Sequence, residues 1–295
     1  MKTFLELAVS YLDRRLEKPP IGKISVGLMG GVGNMLFQIA RGASLLRKGY
    51  RVSFFQVIPR STFLYQALGW SRQPHWLDIP RIVSHLGMRI ERTSVANTGR
   101  LGLSFLSRKQ NAKYHIKFMD RPLGEVLTAP HGLDIGYFQT PNHISPEGIS
   151  SLLAALAQQC YVNVQPLGVT VHMRGGDINA DERLDILQIA KVLEILPIDQ
   201  PVRVVGNDQK FIADLRAANL RPLEYPSGTA FSDFCTIAAS ERLILSSSTF
   251  GFWAAALANT DRRCPIHVQE GSLFTKFPDL FPDTALLPSF RTTAN

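Results

Sequence analysis

Apolar positions along this chain alternate between short runs of strand character and longer stretches with helical spacing. Lys23 to Met29 alternates and then turns apolar as a strand does, and Gly30-Gly31-Val32-Gly33-Asn34 reads as a glycine turn. Met35 to Lys48 reads as a helix closed by Gly49, and Arg51 to Val57 as a second strand. This strand–helix–strand opening predicts a Rossmann-like α/β unit. Asp134 to Thr140 ends the first half, and Pro141 to Pro146 is a turn before a helix over Glu147–Ala157. The second half repeats the rhythm: strand Gly168–His172, helix Ile186–Ile195, strand Val202–Gly206, helix Asp208–Ala218, helix Ser232–Ala239, strand Arg242–Ser246, helix Phe250–Leu257 and strand Ile266–Gln269.

Two such halves imply two Rossmann-like domains facing one another, residues 23–145 and 146–295. The chain's 295 residues suit two domains of roughly 130–150 residues. Ahead of them, residues 1–22 carry Leu5, Ala8, Val9, Leu12 and Leu16 at helical spacing up to Pro19-Pro20. That predicts an amphipathic helix, docked on the core or lying at a membrane interface. No apolar stretch approaches the ~20 residues of a membrane span.

A hydrophobic content of 45% with 19% charged residues describes a globular chain, and the net charge of +8 favours an anionic partner such as a nucleotide, a membrane surface or a nucleic acid. Arg89, Arg92, Arg100, Arg108, Lys109, Lys113 and Lys117 face a single acid, Glu91, over Arg81–Lys117. That run is a solvated face or an acceptor- or membrane-facing patch. Cys160, Cys235 and Cys264 are widely spaced and form no metal-ligand motif, so a reducing cytoplasm is expected.

The candidate chemistry sits at strand ends. Val171-His172-Met173-Arg174-Gly175-Gly176-Asp177 closes a strand, where open α/β sheets bind ligands, and a guanidinium beside glycines suits a diphosphate. His172 can hold a phosphate or hydroxyl. Asp177 can bind sugar, orient Arg174, act as a base or cap the next helix. Ser247-Ser248-Thr249-Phe250 opens a helix, so its hydroxyls and amides either meet a phosphate or cap the helix. Asn207 and Asp208 end another strand and either approach a nucleoside or cap a helix. In the glycine turn, Asn34 stands where a P-loop needs Lys, and Ser53-Phe54-Phe55-Gln56 lacks the acid of a dinucleotide fold. Gly31, Asn34 and Gln38 either line a cleft or form a tight turn. No metal-ligand cluster is visible.

In this order the segments resemble the bacterial α-1,2-fucosyltransferase family, glycosyltransferase family 11. The family's GGxGNxxFQxA opening is matched by Gly30 to Ala40, its GYxQ by Gly136-Tyr137-Phe138-Gln139, its HxRRGD by His172 to Asp177, and its NSSFSxWAAxL by Ser247 to Leu257. The resemblance implies a GT-B fold of two Rossmann-like domains and an inverting transfer of fucose from GDP-β-L-fucose to a galactose 2-hydroxyl of a glycan or lipid-linked acceptor. It implies no cofactor and no metal. By carry-over Arg174 holds the diphosphate, with His172 and Asp177 in support and Asp177 the leading base ahead of Asp181 and Glu182. Asn207 and Asp208 approach the nucleoside, Ser247, Ser248, Thr249 and Phe250 form the donor site, and Gly31, Asn34, Gln38 and Gln139 line the acceptor side. Gly175 stands where the family has a second arginine, Ser247 where it has asparagine, and Gly251 also departs. A cytoplasmic enzyme, with peripheral membrane contact as an option, is expected. Transfer of another sugar and a silent glycan- or nucleotide-binding module are the competing readings; a nucleic-acid role explains the charge but not the ordered motifs.

Overall fold

The computed structural model describes residues 21–56, 77–91, 123, 131–134, 136–160, 167–174, 184–197, 199–218, 222–226, 228–261 and 263–287. The N-terminal helix expected before Pro19, most of the basic run, and Gly175, Asp177, Asp181 and Glu182 lie outside these residues. In chain order the elements are β1 (Lys23–Leu28), α1 (Val32–Arg47), β2 (Arg51–Gln56), α2 (Ile79–His85), β3 (Arg89–Ile90), β4 (His131–Asp134) and α3 (Pro146–Cys160). There follow β5 (Leu167–Met173), α4 (Ile186–Glu194), β6 (Val202–Gly206), α5 (Gln209–Ala217), α6 (Ala230–Ala239), β7 (Ser240–Leu245), α7 (Thr249–Asp261), β8 (Ile266–Gln269) and β9 (Thr284–Leu287).

The strands form two sheets, ordered β3-β2-β1-β4 and β6-β5-β7-β8-β9. Every pairing between these strands is parallel. The fold is therefore α/β, as the alternating rhythm predicts. Beyond β6 a further parallel bridge joins Arg203 to Glu224, with Val204 N donating to Glu224 O at 2.9 Å. Counting that segment, the second sheet runs third-second-first-fourth-fifth-sixth in sequence order, and the first sheet runs third-second-first-fourth. This is the Rossmann order, which places a ligand crevice where the order reverses. The reversal falls between β1 and β4 in one sheet and between β5 and β7 in the other.

One apolar core runs through both sheets. Phe37 of α1 meets Phe252 and Trp253 of α7 at ring separations of 4.9 and 4.8 Å. Phe252 to Leu257 are all fully buried, and Ala254, Ala255 and Ala256 keep α7 thin enough to pack between its neighbours. A second cluster fills the opposite face of the second sheet, where Val169, Val171, Val204 and Ile244 meet Ile189, Val192 and Leu193 of α4. Alternation along β5 thus turns Thr170 and His172 to the other face.

Two sequence expectations are corrected. α1 begins at Val32 rather than Met35, because Gly31 is the extended residue that caps it, so Gly33 and Asn34 belong to the helix. β3, β4 and β9 were not expected: runs of two to four residues carry too little periodicity to read. At the start of the basic run, Glu91 accepts an ion pair from Lys23 at 2.9 Å, with Arg89 at 3.7 Å. Lys23 above all holds the Glu91 carboxyl below its ordinary range. Among the described residues no helix is long and apolar enough to cross a membrane.

Candidate functional site

At the second reversal, the ends of β5 and β7 are laced together. Ser246 N donates to His172 O at 3.2 Å, and Arg174 N donates to the Ser246 hydroxyl at 3.0 Å. This sets Arg174, half-buried, beside the start of α7. Ser248 caps that helix: its carbonyl accepts from Phe252 N at 2.8 Å and its hydroxyl from Gly251 N at 3.4 Å. Ser247 and Thr249 flank it, half-buried, and the first turn of α7 contains no acid. The N-terminal amides and the helix dipole therefore favour an anion here.

His172 is buried, and its ring stacks on Phe250 at 5.3 Å with an interplanar angle of 20°. Phe234 meets Phe250 edge-on at 5.5 Å and braces the stack. Burial first, and the Arg174 charge second, push the His172 pKa down to about 4, so the imidazole is neutral at pH 7. Nδ1 has no hydrogen-bond partner among the described residues.

Asn207 is exposed, and its amide donates to Met173 O at 3.3 Å. Gly206 has φ of 139°, and any Cβ there would run into the Met173 carbonyl, so only glycine brings β6 so close to the end of β5. The Asp208 carboxylate accepts from Phe211 N at 3.0 Å and caps α5. The helix cap weighed for Asp208 from sequence is thus observed.

The first reversal is built differently. Asn34, Gln38 and Arg41 are spaced along one side of α1, and all three grip the segment that follows β4. Asn34 Oδ1 accepts from Gln139 Nε2 at 3.0 Å. Gln38 is fully buried; its Oε1 accepts from Met29 N at 2.8 Å and its Nε2 donates to Gly136 O at 3.0 Å. Gln38 therefore ties β1 to the Gly136 segment rather than facing a cleft, a correction caused by two backbone groups that only its amide satisfies. Arg41 Nε pairs with Asp134 at 2.8 Å and Nη1 donates to His143 O at 2.8 Å, both inside the core. Its guanidinium lies 5.1 Å from the centre of the Phe138 ring. Phe138 is the one non-glycine residue with positive φ, 53°, among those described, and the clamp around it sustains that strained turn. Gly31 is exposed at the head of α1.

The two reversals touch. A Cβ on Gly33 would lie 2.5 Å from Thr249 Oγ1 and 2.7 Å from Phe250 N, so a glycine is required where the starts of α1 and α7 meet. Trp253 Nε1 donates to Gly33 O at 3.1 Å across the same junction. The motifs at 30–40 and 247–257 are thereby one structural unit. Sequence reasoning missed Arg41, Ser246 and this junction. The signal for Arg41 was present, since an arginine in an otherwise apolar helix needs a partner. Among the described residues, no three His, Cys, Asp or Glu side chains converge as metal ligands.

No protein-family model matches the chain, and no curated protein matches it in sequence. Several solved structures are similar in fold. The fucosyltransferase NodZ from Bradyrhizobium is 14% identical over 80% of this chain and 92% of that one, with a TM-score of 0.46. The E. coli heptosyltransferase WaaC, solved with ADP-2-deoxy-2-fluoro heptose, is 9% identical over 85% of this chain and 90% of that one, TM-score 0.44. A glycosyl transferase family 9 protein from Veillonella parvula DSM 2008 is 10% identical over 92% of this chain and 86% of that one, TM-score 0.48. Each of these three TM-scores lies below 0.5.

Proposed function

We propose that the chain is a GT-B glycosyltransferase that moves L-fucose from GDP-β-L-fucose to the 2-hydroxyl of a galactose in a glycan acceptor, with inversion to the α linkage. One observation carries the reading. His172, Arg174 and the acid-free start of α7 stand together at the reversal of a Rossmann-ordered sheet, in contact with the glycine motif of the other sheet. Fixed amides, a helix dipole and a guanidinium there suit a leaving diphosphate, whose developing charge they stabilise without reorganising.

In the proposed reaction the acceptor oxygen bonds to the anomeric carbon as the bond to the donor's diphosphate oxygen breaks, and GDP leaves with the electron pair. The hydroxyl proton passes to a base, for which Asp177 is the first candidate and Asp181 and Glu182 follow. Residues 146–295 form the donor side, with Arg174 on the diphosphate and Asn207 near the nucleoside. Residues 23–145 form the acceptor side, with Gly31 and Tyr137 exposed beside the clamp. The reaction is expected to need no divalent metal, so EDTA should leave it intact. The enzyme is expected to act in the cytoplasm on a glycan or lipid-linked acceptor.

A specific residue favours a second reading. Gly175 replaces a cation of the resembled motif, and that suits a different nucleotide sugar or a protein that binds without turnover. A panel of GDP-, UDP- and ADP-sugars with galactose-terminated acceptors, followed by linkage analysis, separates these. An α-1,2-fucosylated product is expected; transfer from another donor alone rejects fucose, and GDP binding without turnover on any donor identifies a binding protein.

A further inference from the structure

The three cysteines are scattered along the sequence, and the fold brings two of them together. Cys160 closes α3 and Cys235 sits in α6; both are free, and their thiols hydrogen-bond to one another. The pair is asymmetric. Cys160 is buried within the core shared by the two sheets, whereas Cys235 lies half-buried against it. Its bond to Cys235, and then burial, push the Cys160 thiol up, while the hydrogen that Cys160 donates brings the Cys235 thiol down in spite of partial burial. Cys235 is therefore the sulfur that reaches the thiolate first, and also the one nearer to solvent. Cys264 is engaged elsewhere: it is fully buried, and its Sγ donates to Ser240 O at 3.3 Å.

The two helices belong to different sheets. α3 is seated on α1, where Ser145 N donates to the Ser44 hydroxyl at 2.9 Å and Gly148 leaves no room for a side chain beside Ser44. α6 packs on β5, β6 and β7, and Phe234, next to Cys235 in the chain, braces Phe250. We propose that Cys160 and Cys235 form a redox-active dithiol, which a low-molecular-weight disulfide oxidises to an intramolecular disulfide that staples α3 to α6 and so joins the two sheets.

The exchange runs in two steps. The Cys235 thiolate attacks one sulfur of the small disulfide, whose S–S bond breaks; a mixed disulfide forms on Cys235 and one small thiolate leaves. Cys160 then loses its proton, its sulfur attacks Cys235 Sγ, and the second small thiolate leaves. The two thiol protons pass to the two released thiolates, so the protein is oxidised by two electrons and the small disulfide is reduced to two thiols. A reducing thiol pool keeps the pair open, and an oxidised one closes it. This inference does not depend on the nucleotide-sugar reading.

The test treats the reduced full-length protein with oxidised glutathione and follows it by intact mass, non-reducing tryptic mapping and thermal melting. Wild type should lose two hydrogens in mass and yield one bridge, between Cys160 and Cys235. The bridge constrains the unfolded chain, so the oxidised protein should melt about 5–10 °C above the reduced one, and dithiothreitol should reverse the shift. Cys160→Ser should hold glutathione on Cys235 as a stable mixed disulfide. Cys235→Ser should take up none and form no bridge, because Cys160 is shielded.

A glutathione adduct that persists on Cys235 in wild type, a bridge through Cys264, or thiols left unchanged overturns the dithiol. A Cys160–Cys235 bridge that melts no higher than the reduced protein overturns the staple. If either serine variant does not fold, mapping and melting of wild type decide.

Discussion

The two sheet reversals share a strand order and are opposite in chemistry. At the first, Asn34, Gln38 and Arg41 are bonded to Gln139, Gly136, Asp134 and His143, so the polar residues of one motif hold the other in place. At the second, backbone and hydroxyl groups lace β5 to α7 while His172 keeps a nitrogen with no partner among the described residues. Polar residues at a Rossmann crevice can thus build the crevice or serve its ligand, and their hydrogen bonds show which. Substitutions at the first should register in stability, and those at the second in binding.

The sharpest way to break that contrast is Arg41→Met. It leaves the Asp134 carboxylate buried without its cation and should cost about 3–5 kcal/mol, read as a shift in urea midpoint. A stability change below about 1 kcal/mol would remove Arg41 as the clamp. Next comes pH. In the unfolded chain His172 titrates near its ordinary 6.5, while in the folded chain burial and Arg174 push it down to about 4. The unfolded chain takes up the proton first, so stability present above pH 6.5 is lost as pH falls toward 4, by roughly 3 kcal/mol. Denaturation of wild type and His172→Gln at pH 7 and pH 4.5 checks this, since the variant should lose the slope that His172 contributes. His267, also pushed down to about 4 by burial and Arg242, contributes in the same direction and remains in both proteins.

Arg174→Ala should leave stability within about 1 kcal/mol, because the residue is half-buried at a strand end. It should weaken nucleoside-diphosphate binding by about 10- to 100-fold, the value of a charged hydrogen-bonding partner. Full retention of binding and transfer would remove Arg174 from the site. The smallest effect is expected at Asn34→Ala, which loses the half-buried bond to Gln139 and about 1 kcal/mol. A large loss of donor binding in that variant, with stability unchanged, would move Asn34 from the scaffold to the site.

The helices and most strands of the second half were legible because their apolar spacing spans several residues. β6 and β8 match their expected bounds, and α4, α5 and β5 shift by a residue or so at their ends. The candidate strand ends were legible for the same reason, since a polar cluster after an apolar run marks where a strand meets solvent. The division of labour among those residues was not. Gln38 read as a cleft residue because its amide looks the same in sequence whether it meets a ligand or Met29 N. Asp208 is open between cap and ligand in sequence, and its bond from Phe211 N makes it the cap.

By itself, the sequence determined the α/β alternation, the strand ends that carry charge, and the glycine turn between the first strand and helix. Periodicity and residue chemistry are local, so they can be read along the chain. Only the tertiary structure decided that Gly33 fits under Thr249, that Arg41 is matched by Asp134, and that His172 stacks on Phe250. Each of those joins residues that are distant in sequence, through contacts of a few ångströms set by packing, and no local pattern encodes such a distance.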